Sequence, residues 1–147
     1  MDFSIREACK EDLQSLLQLY TQLHDNPMPA ADRDLGRLWE RILADTQHHI
    51  LVGFLGDMLV CSCVLMIIPN LTHSQRPYAL IENVITDEKQ RNKGFASAMM
   101  SHAREIAVKE NCYKIMLMTS SKEDATLNFY QRSGYNRRDK TAFIQWL

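Results

Sequence analysis

Apolar and polar residues change their spacing along the chain in a way that separates strands from helices. Alternation of the two classes over Phe3–Glu7 predicts a first strand. Apolar residues at helical spacing predict helices over residues 10–24 and 32–45. Further strands are predicted at 49–55, 59–68, 78–86 and 113–119, further helices at 94–110 and 122–133, and strand-like segments at 135–138 and 141–146.

The order of these elements predicts the fold class. A hairpin at Gly56-Asp57 joins the second and third strands, which with the next strand form a meander of consecutive strands. A strand–helix–strand unit follows this meander. This arrangement predicts a mixed sheet with helices on both faces, an α/β fold of the α+β kind. The length of 147 residues fits a single domain over residues 1–147 with its own core.

Composition and charge narrow the range of functions. Seventeen Lys and Arg stand against 18 Asp and Glu, so the net charge of −1 supplies no basic field for nucleic acid. The longest apolar run, over residues 58–68, is too short to span a bilayer. The first residues lack the apolar centre of a signal peptide. We therefore expect a cytoplasmic protein with no nucleic-acid or membrane partner.

The cysteine residues do not predict a metal site. Cys9, Cys61, Cys63 and Cys112 match no zinc-ligand spacing. Cys61 and Cys63 are two residues apart and share a face if they lie on a strand. We expect small buried thiols in the core, and neither a metal nor a disulfide framework.

The segment from Val84 to Ala96 contains the clearest chemical signal. It is an apolar strand end, a short polar turn and a loop with Gly94 that opens into a helix. Unpaired backbone N–H groups and the positive end of the helix dipole make such a terminus an anion site. Gly94 tolerates unusual φ and lets a phosphate approach the backbone, while Arg91 and Lys93 add positive charge. The alternative is a plain strand-to-helix turn with solvated basic residues.

Two motifs carry a family resemblance over nearly the whole chain. Arg91-x-x-Gly94-x-Ala96 satisfies the signature that the GNAT superfamily of N-acetyltransferases carries at this turn. The block Asn128-Phe129-Tyr130-Gln131-Arg132-Ser133-Gly134-Tyr135 resembles the superfamily's Phe-Tyr-x-x-x-Gly block. The resemblance implies the GNAT fold, with a mostly antiparallel twisted sheet of six or seven strands and about four helices. Within the superfamily, Ile81 to Ile85 and 111–115 are similar to glucosamine 6-phosphate N-acetyltransferases, although much of that similarity is shared framework.

The resemblance also implies acetyl-CoA as the co-substrate. Its pyrophosphate is expected on the backbone amides of the loop, formed here by Arg91, Asn92, Lys93, Gly94, Phe95 and Ala96. Its pantetheine arm is expected to pair with the backbone near Val84 and Ile85, where the fourth and fifth strands separate. Asn128 turns either toward the coenzyme arm or to solvent. Thr126 stands where many relatives carry His or Ala, which weakens the expectation for contacts near the sulfur.

Two side chains are candidates for the proton transfers. Glu82 interrupts an apolar strand and is the candidate general base for the amine, with a pKa raised by desolvation; the alternative is a carboxylate that faces solvent or pairs with a basic neighbour. Tyr130 is the superfamily's usual proton donor to the thiolate, and its alternative role is packing the last helix. A backbone N–H near Val84 or Ile85 is expected to stabilise the oxyanion.

The acceptor is expected to be a small-molecule or peptide amine. Its pocket is predicted between residues 25–31, residues 70–77 and the C-terminal strands, with candidate contacts from Asp25, Asp32, His73, Gln75 and Arg76. Two other functions compete: a catalytically silent acyl-CoA-binding regulatory module, and a dinucleotide-binding domain, which the missing Gly-x-Gly-x-x-Gly run disfavours. The resemblance also implies a homodimer through edge strands or C-terminal exchange, and the apolar segment 143–147 suits either a core strand or such an interface.

Overall fold

A twisted five-stranded sheet forms the centre of the molecule in the computed structural model, which describes residues 1–24 and 26–147. Its strands are β1 (Phe3–Glu7), β2 (His48–Leu55), β3 (Met58–Ile68), β4 (Tyr78–Thr86) and β5 (Ile115–Leu117), arranged in that order. Strands β1 to β4 are antiparallel, and β5 runs parallel to β4. The predicted mixed sheet is confirmed, and its direction changes at the β4–β5 boundary.

The sheet is smaller than the six or seven strands that we expected. The segments 135–138 and 141–146 form no strand, and β5 has three residues where seven were predicted. Phe143, Ile144 and Trp146 expose 90%, 65% and 86% of their surface, so the apolar pattern at the C-terminus is not buried within the chain. A strand needs a pairing partner as well as a pattern, and this segment pairs with neither edge strand, β1 or β5, among the described residues.

Helices cover both faces, as predicted. They are α1 (Leu13–Tyr20), α2 (Arg33–Ala44), α3 (Phe95–Lys109) and α4 (Asp124–Arg132), with short 3₁₀ turns at Lys10–Asp12 and Glu88–Gln90. Asp32 caps α2 by accepting a 2.9 Å hydrogen bond from the Leu35 N–H. Gly134 ends α4 in the left-handed conformation, with φ of 99°.

Two buried clusters hold these helices on the sheet. The α3-side core contains Cys61, Cys63, Ile81, Met99 and Ala103, and α4 packs against it through Phe129 and Tyr130. The α2-side core, on the opposite face, contains Leu16, Trp39, Ile50, Val52 and Val64. Burial of these side chains drives the packing of the helices, at about 25 cal/mol per Å² of apolar surface. The sheet therefore has one core on each of its faces.

The cysteines divide between the core and the surface. Cys61 and Cys63 share the α3-side core, as their spacing predicted, and burial raises the pKa of each thiol to about 12. Cys112 is partly buried, whereas Cys9 is exposed and the expectation of a buried thiol is wrong there. No group of three or more His, Cys, Asp and Glu side chains is placed to hold a metal ion within residues 1–24 and 26–147. Over the same residues, none of the helices combines the length and the apolar character needed to cross a membrane.

Candidate active site

The loop between β4 and α3 has the geometry of an anion site. Gly94 is the N-cap of α3 with φ of 84°, and Asn92 is also left-handed, with φ of 62°. The backbone N–H groups of residues 91–94 make no hydrogen bond to any group in the described part of the chain. These free donors stand beside the positive end of the α3 dipole, so the loop fits a phosphate group. A Cβ built on Gly94 meets no atom within 4 Å, so the space in front of it is open.

Two side chains of the same loop make contacts within it or with the end of β4, and the first residue of α3 contacts β1. Arg91 is exposed, and its Nε donates to the Thr86 carbonyl oxygen at 3.3 Å. The exposed Lys93 donates from Nζ to Gln90 Oε1 at 2.8 Å. Phe95 stacks on Phe3 of β1 with ring centroids 4.5 Å apart. The first turn of α3, which contains the half-buried Ala96, is thereby fixed in place.

Strands β4 and β5 separate immediately before this loop. Their pairing is confined to Ala79–Ile81 against Ile115–Leu117. From residue 82 onward, β4 has no strand on its β5 side within the described residues, so an extended ligand has backbone with which to pair. Val84, which packs on the α3-side core, and Ile85, which is buried, belong to the stretch of β4 beyond its pairing with β5, and both were predicted to bind the pantetheine arm.

A β-bulge marks the point where the strands separate. Ser62 pairs with Ile85 and Val64 pairs with Glu82, so Cys63 alone lies opposite both Asn83 and Val84. Asn83 has φ of 52°, a conformation that Asn tolerates better than most residues with a Cβ. We did not predict this bulge. The only sequence signal for it is an Asn inside an apolar strand.

Glu82 lies at the bulge, but it is exposed. It pairs with Val64 of the α2-side core, and alternation along β4 places it on that face, away from Ile81. We expected a carboxylate desolvated by an apolar strand. The structure contradicts that expectation, because the bulge and the open end of the sheet leave the side chain accessible to solvent.

Tyr130 lies on the opposite face. It is half-buried against the α3-side core, with Phe129 and Tyr135 in edge-on contact at centroid distances of 5.0 and 6.4 Å. Burial raises the pKa of the Tyr130 hydroxyl, and the nearby Cys63 raises it further. Asn128, one residue before the Phe-Tyr pair, is exposed. Glu82 and Tyr130 therefore lie on different faces of the sheet.

Most of the predicted acceptor contacts have local structural roles. Asp32 caps α2, and Arg76 donates to the carbonyl oxygens of Asn111 and Cys112 at 3.1 and 3.0 Å. His73 stacks on Tyr113 at 3.9 Å, and Gln75 donates to the Leu71 carbonyl oxygen. Asp25 lies outside the described residues.

Sequence and structure comparisons agree on one family. The model of the acetyltransferase (GNAT) family matches residues 12–135. A glucosamine 6-phosphate N-acetyltransferase of Trypanosoma brucei brucei is 28% identical over 141 residues, which are 95% of this chain and 93% of that protein. Two solved structures are similar over nearly their whole length. A putative acetyltransferase from Agrobacterium tumefaciens is 35% identical, with TM-score 0.89 over 97% of this chain and 99% of that one. A Trypanosoma brucei acetyltransferase is 25% identical, with TM-score 0.84 over 99% and 100%.

Proposed function

The chain belongs to the GNAT family of acetyltransferases, and we propose that it transfers an acetyl group from acetyl-CoA to a primary amine within a ternary complex. One observation carries this proposal. The free amides of residues 91–94 lie directly beyond the strand edge that opens between β4 and β5. A phosphate site and a groove for an extended amide chain thus follow one another, as the two halves of coenzyme A require.

The residues of this site fit the coenzyme. The backbone of residues 91–96 would hold the pyrophosphate, with Arg91 and Lys93 adding charge. The β4 edge at Val84 and Ile85 would pair with the pantetheine amides. Bound there, acetyl-CoA supplies an activated thioester carbonyl. A backbone N–H near the bulge would donate a hydrogen bond to the carbonyl oxygen as it becomes negative.

Glu82 is the proposed general base. The acceptor nitrogen bonds to the carbonyl carbon, the carbon–sulfur bond breaks, and one proton leaves the amine. The Glu82 carboxylate stands on the α2-side face next to the bulge, where it would take that proton directly or through one water. Its exposure fits an acceptor that enters from solvent on this face.

Tyr130 is the proposed general acid. The departing thiolate needs a proton, and the raised pKa of the Tyr130 hydroxyl keeps that proton in place at neutral pH. Its position on the α3-side face supports a role separate from that of Glu82, which lies on the other face. Because the two groups lie on opposite faces, Glu82 would accept the proton of the amine while Tyr130 donates a proton to the thiolate.

The experiment is thiol release from acetyl-CoA over a panel of amines. Glucosamine 6-phosphate stands first, because a relative 28% identical over 95% of the chain bears that activity in its name. Polyamines, amino acids, aminoglycosides and short peptides complete the panel. Glu82→Gln and Tyr130→Phe are each expected to lower kcat about 10²-fold or more. Glu105→Gln, on the exposed side of α3, and Tyr78→Phe, at the start of β4, are matched controls expected to keep the rate.

The outcomes separate the parts of the proposal. Release that Glu82→Gln leaves unchanged would remove Glu82 as the base while keeping the enzyme. Release that Tyr130→Phe leaves unchanged would remove the acid. Binding of acetyl-CoA without release to any acceptor would favour the catalytically silent module instead.

A further inference from the structure

The side chain of Gln22 joins two parts of the chain that are far apart in sequence. Its Nε2 donates to Asp87 Oδ2 at 3.0 Å, and its Oε1 accepts from the Glu88 N–H at 2.9 Å. Both polar ends of the carboxamide are therefore used, and both partners lie more than 60 residues away. Gln22 follows the last residue of α1 by two positions and is half-buried.

Asp87 fixes the start of the loop between β4 and α3, residues 87–94, which is called the coenzyme loop because it is the proposed pyrophosphate site. Its N–H donates to the Val60 carbonyl oxygen of β3 at 2.8 Å. Its Oδ1 accepts from the Lys89 N–H at 2.9 Å, and its carbonyl oxygen accepts from the Gln90 N–H at 2.8 Å. The short turn Glu88–Gln90 is built on these bonds, and the free amides of residues 91–94 follow directly.

The other end of the connection is the last turn of α1. The Gln22 N–H donates to the Leu19 carbonyl oxygen at 3.0 Å, and the Leu23 N–H donates to that of Tyr20 at 2.9 Å. Asn26 Nδ2 also donates to the Tyr20 carbonyl oxygen, at 3.1 Å. The Asn26 side chain thus contacts the same turn that Gln22 connects to Asp87. This turn stands on the α2-side face, on which Glu82 also lies.

We propose that Gln22 is a positioning residue that couples the coenzyme loop to the end of α1. A bound pyrophosphate reduces the motion of residues 91–94, and the hydrogen bonds of Asp87 and Gln22 extend that reduction to residues 19–23. Coenzyme binding thereby stiffens the side of the site from which the amine approaches. This inference rests on the proposed function, because it takes the loop as the coenzyme site.

The chemistry of the contact explains why glutamine stands at this position. Gln22 donates from Nε2 to a carboxylate and accepts at Oε1 from an N–H, and a carboxamide carries both groups at the end of one side chain. Gln22→Glu would place a second carboxylate against that of Asp87, and the two negative charges would repel each other. Adding Asp87→Asn reverses the polarity of the contact. The introduced amide would donate to the introduced carboxylate, and its oxygen would still accept from the Lys89 N–H. The double variant Gln22→Glu/Asp87→Asn should therefore restore the connection.

The test is amide hydrogen exchange with and without saturating acetyl-CoA. In the native protein, acetyl-CoA should slow exchange over residues 91–97 and, about fivefold or more, at the hydrogen-bonded amides of residues 19–23. Gln22→Ala should keep the first effect and lose the second. Gln22→Glu/Asp87→Asn should recover both. Gln14→Ala, an exposed glutamine on the same helix, is the matched control and should behave as native protein does.

Each remaining outcome decides against the proposal. Slowed exchange at residues 91–97 with none at residues 19–23 in native protein would overturn it, as would an undiminished effect in Gln22→Ala. If acetyl-CoA slows exchange nowhere, the coenzyme site is wrong and the inference fails with it. The thiol-release assay distinguishes this last case from an error in Gln22 alone.

Discussion

Glu82 of β4 lies opposite Val64 of β3, and theirs is the last regular pair before the bulge. The bulge inserts one residue into β4, so the side chains beyond it change face. Val84 consequently turns to the α3-side core, and β4 leaves β5 at this point. The candidate base therefore stands where the sheet opens.

Asn83 is expected to control this geometry through its backbone. Its φ of 52° is strained for a β-branched residue, so Asn83→Val should lower the free energy of unfolding by about 1–3 kcal/mol. It should also lower kcat by more than the loss of folded protein accounts for. Asn83→Gly permits the same φ and is the control. Chemical denaturation and thiol release measure both effects, and an equal loss in the two variants would show that the side chain, rather than φ, matters.

Substitution of Gly94 should be unfavourable because of its backbone conformation and not because of a steric clash. A Cβ meets no atom within 4 Å, yet φ is 84°, so Gly94→Ala should destabilise the fold by about 1–2 kcal/mol and weaken acetyl-CoA binding. Gly36 on α2 also has no atom within 4 Å of its Cβ position but no positive φ. Gly36→Ala should therefore stabilise by about 0.5–1 kcal/mol. Thermal unfolding measures the stability of each variant, and calorimetric titration measures its affinity for acetyl-CoA. Equal changes in Gly94→Ala and Gly36→Ala would show that the positive φ of Gly94 is not the cause.

The sequence predicted the elements whose patterns are local. Strand β4 has the predicted bounds, and α3 begins at the Gly94 cap that its position indicated. The contact of Gln22 with Asp87 joins residues 65 positions apart, and no local pattern encodes such a pair. The strand predicted at residues 141–146 is wrong, because an apolar segment forms a strand only when it pairs with another strand, and this segment pairs with none in the described part of the chain.

The ion pair between Arg6 and Asp12 predicts a pH dependence of stability. Nη1 lies 2.6 Å from Oδ2 and Nη2 lies 3.0 Å from Oδ1, with the Asp12 side chain 8% exposed. The Arg6 guanidinium lowers the pKa of the Asp12 carboxyl below its usual value of 3.8. A depressed pKa stabilises the fold above the unfolded-state pKa, and that stabilisation is lost as the pH falls through the folded-state pKa.

Asp12→Asn should therefore lower the free energy of unfolding at pH 7 by about 1–3 kcal/mol, and less below pH 4. Urea titrations from pH 7 to pH 3 measure the difference. The control is Glu40→Gln, which removes a 4.0 Å pair to Lys10 whose side chains are 68% and 76% exposed. Exposed pairs contribute about 0–1 kcal/mol, so a loss in Glu40→Gln equal to that in Asp12→Asn would argue against burial as the cause.

Two neighbouring buried hydroxyls should respond differently to removal. The Tyr20 hydroxyl makes no hydrogen bond of regular geometry within the described residues, and burial raises its pKa against the opposing effect of the nearby Ser62 and Asn83 side chains. Ser62 Oγ donates to the Leu51 carbonyl oxygen at 2.7 Å. Tyr20→Phe should be neutral or stabilising, whereas Ser62→Ala should cost about 1 kcal/mol. Denaturant midpoints compare the two, and a clear loss in Tyr20→Phe would reveal a partner for the phenol, such as a buried water.

The exposed C-terminal segment should form the contact of a homodimer. Phe143 and Trp146 are almost fully exposed, and β5 presents a free edge beyond its pairing with β4. A second copy of this chain offers the same segment and the same edge, so each can cover the other with two-fold symmetry. We expect light scattering after gel filtration to give twice the 17.1 kDa chain mass. Phe143→Asp/Trp146→Asp should give a monomer with its secondary structure intact, because neither side chain is buried within its own chain. A native monomer at high micromolar concentration would refute this assembly.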